Sequence, residues 1–106
     1  MAWLYLFIAG LFEIMWAIGL KYTEGFTRLW PSLWTLVGMV ASFVFLAQAL
    51  KTIPLGTGYA VWTGIGAVGT ALFGIVLFGE SHNPFRLACI LVIVAGIVGL
   101  RFTALE

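Results

Sequence analysis

The chain has 106 residues, 63% of them hydrophobic and only 8% charged. Soluble domains carry about a quarter charged residues, and five basic with four acidic residues cannot coat a globule of this length. With a net charge of +1 there is no basic patch to grip phosphates, so the composition argues against a soluble domain, a disordered tail or a nucleic-acid binder and for a chain dissolved in lipid.

The length fits one domain, residues 1–106, with room for four spans of about 20 residues and short loops. The first apolar run covers residues 3–20 and is broken only by Glu13. No basic residue precedes it and further apolar runs follow, so it reads as a retained helix rather than a cleaved signal. Lys21, Glu24 and Arg28 mark a polar loop. A second run covers residues 30–50, with Pro31 where proline suits a first helical turn. Lys51 to Pro54 form a short connection to the glycine-rich run 55–78. Gly79 to Asn83 are the third loop, and Pro84 opens a last run over 84–101. In lipid every backbone donor needs an internal partner, so runs of this length form helices. The expected fold is all-α: a four-transmembrane-helix bundle with both termini on one side.

The few charges also bear on orientation. Loops one and three carry Lys21, Arg28 and Arg86, while the opposite side carries Lys51 and Arg101. Orientation follows an imbalance of basic residues, and here it is nearly absent. Two readings stay open: insertion in both orientations with antiparallel pairing, or orientation by the single residue of bias or by the lipid. Trp3, Tyr5, Tyr22, Trp30 and Trp34 lie near span ends, as an interfacial aromatic belt requires.

Glu13 is the one charged residue inside a span. A charged residue there costs at least about 2.5–3.5 kcal/mol, which makes it a functional-site candidate by default. At about 1.5 Å per residue, Glu13 lies roughly 15 Å from the side bearing the termini, Ser42 roughly 12 Å and Trp62 roughly 10 Å. Tyr59 falls one turn shallower than Trp62, and Trp16 one turn deeper than Glu13. Five residues from three helices thus share one band: a carboxylate, a hydroxyl, a phenol and two indoles. That set suits a cation, with an anion for charge, rings for cation–π contact and hydroxyls for orientation. Ala9, Gly10 and Ala17 flank Glu13 on the same face, leaving room for a ligand or for close helix approach.

The third run holds Gly56, Gly58, Gly64, Gly66 and Gly69, which fits a helix that bends or packs closely. Gly64 to Gly69 match a dinucleotide-binding pattern by chance, with no preceding strand and no acidic residue at the proper distance. In the fourth run Ala95, Gly96 and Gly99 form a small-residue face that fits a dimer seam or a contact within the monomer. Cys89 is the sole cysteine and His82 the sole histidine, so neither a disulfide within the chain nor a metal site is expected. Four helices are too few to enclose both a pocket and an aqueous path, whereas two copies suffice. Pairing would bring two Glu13 carboxylates together, poised to hold either protons or a cation.

These residues resemble the small multidrug resistance family over essentially the whole chain. The resemblance rests on Glu13, Lys21, Glu24 to Arg28, Ser42-Phe43, and Ile53-Pro54-x-Gly56-Thr57-x-Tyr59-Ala60-x-Trp62. Trp16-Ala17-x-x-Leu20-Lys21 and Trp62 to Gly66 look like the guanidinium-exporter subtype. The resemblance implies an antiparallel, dual-topology homodimer in a bacterial inner membrane that exchanges protons for guanidinium-type cations. It implies no cofactor; the partners would be guanidinium or a substituted guanidinium, protons, lipid and a second copy. By motif match, Glu13 would be the carboxylate shared by proton and substrate, with Ser42 orienting it. Trp16, Tyr59 and Trp62 would line the pocket, Tyr59 also gating access, and Gly64 and Gly66 would lie at a helix bend. Gly58 stands where the family commonly has alanine. Guanidinium presents planar N–H donors that match a carboxylate, whereas a quaternary ammonium has none and would rely on the rings. The competing readings are a multidrug exporter of quaternary or aromatic cations and a non-transporting membrane interaction subunit. An enzyme is not expected, because the sequence offers no nucleophile–base pair or metal set.

Overall fold

A computed structural model of the chain describes residues 1–103. It is built from four helices: α1 (Ala2–Tyr22), α2 (Leu29–Ala49), α3 (Leu55–Phe78) and α4 (Pro84–Thr103). Each is long and apolar enough to cross a membrane. With 24 residues, α3 is the longest, about 36 Å at 1.5 Å per residue, and exceeds a hydrocarbon core of about 30 Å. α1 continues through Lys21 and Tyr22, whose long amphipathic side chains carry it into the polar interface.

The turns are tied locally. In loop one Glu24, Gly25 and Phe26 all have positive φ. Thr23 closes this turn: its hydroxyl donates to the Leu20 carbonyl at 2.8 Å and accepts from the Phe26 amide at 3.1 Å. α3 ends where Gly79 takes a left-handed conformation, φ 65°, and the Glu80 amide donates back to the Gly74 carbonyl at 3.2 Å. This six-residue closure needs a residue without the Cβ penalty at position 79. α4 opens with Asn83, whose side-chain oxygen accepts from the Arg86 amide at 2.8 Å, followed by Pro84 in the first turn.

α1 is the central helix, with α2 and α3 on either side and α4 leaning on α3. The contacts are set by small residues. Gly10 meets Ile65, Gly69 meets Ile14, Gly38 meets Trp16 and Gly19 meets Trp34 and Thr35. Small residues at these points let backbones approach, which is what drives helix association where lipid is as apolar as the side chains. Leu6, Ala9, Leu46, Ala49, Ile53, Val61 and Trp62 form the buried cluster. Ile90 is the one buried residue of α4. The result is a slab, 45 × 35 × 17 Å.

The start of α1 and the end of α4 lie on one face: the Arg101 guanidinium sits 4.6 Å from the centre of the Trp3 ring. Loops one and three share the other face, where Lys21 lies over Phe78 at 5.4 Å and the Tyr22 and Phe78 rings are 5.6 Å apart.

Candidate functional site

Glu13 projects from α1 toward α3, and its carboxylate occupies the space where a Cβ on Gly66 would stand. One carboxylate oxygen is buried and has no hydrogen-bond partner among the described residues. In hydrocarbon an unpartnered polar atom is costly, so a carboxylate here needs a physical reason to be retained.

One turn toward the termini, a second polar group is fully satisfied. The buried Ser42 hydroxyl of α2 donates to the Ala9 carbonyl at 2.7 Å and accepts from the Trp62 indole N–H at 2.9 Å. This chain ties α1, α2 and α3 together. The single hydroxyl proton of Ser42 is thus engaged by Ala9, not by the Glu13 carboxylate, in this conformation.

The rings form a continuous wall. The Tyr59 and Trp62 centroids are 5.5 Å apart, Phe43 and Trp62 5.8 Å, and Trp16 and Phe43 6.4 Å, all tilted. Such geometries suit the positive edge of one ring against the negative face of the next. Trp62 is buried and held by Ser42, whereas Tyr59 is 55% exposed. The Trp16 indole nitrogen is buried and without a partner among the described residues. Trp16 joins the group through Phe43, a residue that sequence reasoning left out of the site. An aromatic residue in an apolar helix carries no signal that separates it from a lipid-facing one.

Gly64 and Gly66 lie within one uninterrupted helix, and each admits a neighbour: Ile93 and Ile97 of α4 at Gly64, Glu13 at Gly66. Ala95, Gly96 and Gly99 are exposed, and a Cβ on Gly96 or Gly99 would meet nothing within 4 Å.

The structure thus brings together a carboxylate with a buried, unpartnered oxygen and, one turn away, an aromatic wall, groups whose chemistry suits a cation. The chain matches the sequence profile described as Small Multidrug Resistance protein over residues 1–93, and it belongs to that family of membrane transporters. It is 58% identical over 104 residues to the guanidinium exporter of Proteus vulgaris, covering 98% of this chain and 100% of that one. It is 59% identical over 103 residues to the guanidinium exporter of Escherichia coli (strain K12), covering 97% and 98%. With the guanidinium exporter of Salmonella typhimurium the identity is 58% over 104 residues, covering 98% and 99%. The chain is a multi-pass protein of the bacterial inner membrane and a transporter, not an enzyme.

Proposed function

We propose that the protein is a proton-coupled antiporter that exports guanidinium-type cations by alternating access, working as an antiparallel, dual-topology homodimer. The observation that carries this reading is Glu13: a mid-span carboxylate with a buried, unpartnered oxygen, set against Gly66 and one turn from the Ser42–Trp62 pair. Its high identity to proteins named guanidinium exporter supports the choice of cation.

The chemistry follows from the groups present. A guanidinium offers parallel N–H donors that a carboxylate accepts in bidentate fashion. The rings of Trp16, Tyr59 and Trp62 face a delocalised cation favourably. A proton neutralises the same carboxylate, so proton and cation exclude each other at one group, which is the basis of exchange. Within one protomer the aromatic wall is open at Tyr59, which is 55% exposed, and a second copy would close it. Gly64 and Gly66 would serve as the bend of α3 during the exchange. The exposed stripe Ala95, Gly96 and Gly99 would be the seam between copies.

The test is transport current in proteoliposomes on addition of guanidinium, then of tetraethylammonium. Saturable guanidinium currents that vanish in Glu13→Gln are expected. Unchanged currents in Glu13→Gln would remove that residue from the mechanism. Tetraethylammonium currents with no guanidinium response would select a quaternary-cation exporter, and silence to both would select the interaction subunit.

A further inference from the structure

A cavity of about 400 Å³ lies in the seam between α1 and α3, away from the aromatic wall. It runs from Ala17 and Ala67, next to the Glu13–Gly66 contact, to Phe78 and Glu80 at the face of loops one and three. Two of its lining residues, Thr70 and Gly74, continue a ladder on α3 that starts just beyond its inner end, at Gly66. Gly66, Thr70 and Gly74 are spaced by four residues and share one stripe of the helix. The first rung accommodates the Glu13 carboxylate and the third accommodates the Glu80 carboxylate, each in the place of a missing Cβ. Between them, the Thr70 hydroxyl oxygen is buried and has no hydrogen-bond partner among the described residues. A helical threonine ordinarily returns its hydroxyl to the carbonyl one turn back; this one does not. The rungs are about 6 Å apart along the helix, a gap that one or two hydrogen-bonded waters span.

We propose that this seam is the proton route to Glu13, a hydrated relay running from Glu80 through Thr70, separate from the path of the cation. The assignment rests on the antiporter reading of Glu13. Each step forms one O–H bond and breaks another. Bulk hydronium gives a proton to the Glu80 carboxylate, which passes it to an adjacent water. That water gives a proton to the Thr70 oxygen, Thr70 releases its original hydroxyl proton to the next water, and that water protonates Glu13. Every intermediate group regains its composition, and the net change is one proton on Glu13. The mouth also excludes the competing cation. Arg86 is paired to Glu80 at 2.8 Å, and Lys21 stands over Phe78 at 5.4 Å, so two positive groups guard an opening whose single carboxylate is already engaged. A proton needs only an exchangeable oxygen there, whereas a guanidinium would need an unshielded anion.

The test separates proton movement from cation movement in proteoliposomes. Exchange of labelled guanidinium for unlabelled guanidinium needs no net proton, whereas guanidinium-driven proton flux is read with a trapped pH dye. In Thr70→Val, proton flux is expected to fall about tenfold, with exchange close to the parent, a factor equal to about 1.4 kcal/mol of barrier. Thr70→Ser should restore the flux. Glu80→Gln, at the surface, should also slow proton flux and spare exchange, and it carries the test if Thr70→Val does not assemble. Unchanged proton flux in these variants, or equal losses of flux and exchange, would overturn the relay. Absence of guanidinium exchange in the parent protein is a different result: it would overturn the exporter reading, and the relay with it.

Discussion

The carboxylate of Glu13 rests in the space that a Cβ on Gly66 would fill, so position 66 has room for the acid only while it carries no side chain. Gly66→Ala should therefore push Glu13 out of place while leaving the helix intact, since alanine favours helix over glycine. Displacing a functional group by about 1 Å can cost about a hundredfold in rate, and a loss of that order in guanidinium current is expected. Gly56→Ala, where a Cβ meets open space, is the matched control and should keep the parent current.

The Ser42 hydroxyl joins the Ala9 carbonyl to the Trp62 indole. In Ser42→Ala the buried indole N–H loses its acceptor, at a cost of about 1–3 kcal/mol. Trp62 should then turn from its seat beside Tyr59 and Phe43. A shift in tryptophan fluorescence together with a raised guanidinium KM is expected; Trp62→Phe, which drops the donor but keeps a ring, should reproduce the KM change.

In the proposed exchange, proton and cation compete for one carboxylate. Protonation removes the anion that binds guanidinium, so affinity is present at higher pH and lost as pH falls through the Glu13 titration. Guanidinium titrations across a pH series should show the apparent Kd rising by up to about tenfold per pH unit on the acid side. Binding that ignores pH between mildly acidic and alkaline conditions would count against Glu13 as the shared site.

Gly96 lies on an exposed face of α4 with nothing within 4 Å of its would-be Cβ. Gly96→Leu should leave the protomer folded and weaken association of two copies, read as loss of the dimer band on cross-linking in detergent. Retained dimer would move the seam to another face.

Much of the fold was legible because charge is so scarce: with nearly every charged residue confined to the span ends, the apolar runs between them delimit four helices. Glu13, Ser42 and Trp62 stand out by depth and by polarity in an apolar setting. The contacts among them were not legible. Ser42 spends its proton on Ala9 rather than on Glu13, a choice fixed by side-chain direction that no spacing reveals. In sequence Gly66 is equally consistent with a bend and with a close approach, and the Glu13 carboxylate against it is a contact that spacing alone does not reveal. Phe43 links Trp16 to Trp62, whereas in sequence it stands out only as part of the Ser42-Phe43 motif, with no sign of the rings it touches. Thr70 looks like an ordinary helical threonine until its missing partner is seen.

α4 packs on α3 alone and touches α1 through the Arg101–Trp3 contact at the membrane surface. It has a consequence for the order in which the chain comes apart. The buried cluster draws its members from α1 to α3 and the loop joining α2 to α3, and α4 adds only the partly buried Ile97 and Leu100 at its edge. Pulled from its C-terminal end by a cantilever, the protein should first surrender α4 as a separate low-force event, once Arg101 leaves the Trp3 ring. The remaining three helices should then yield together at higher force.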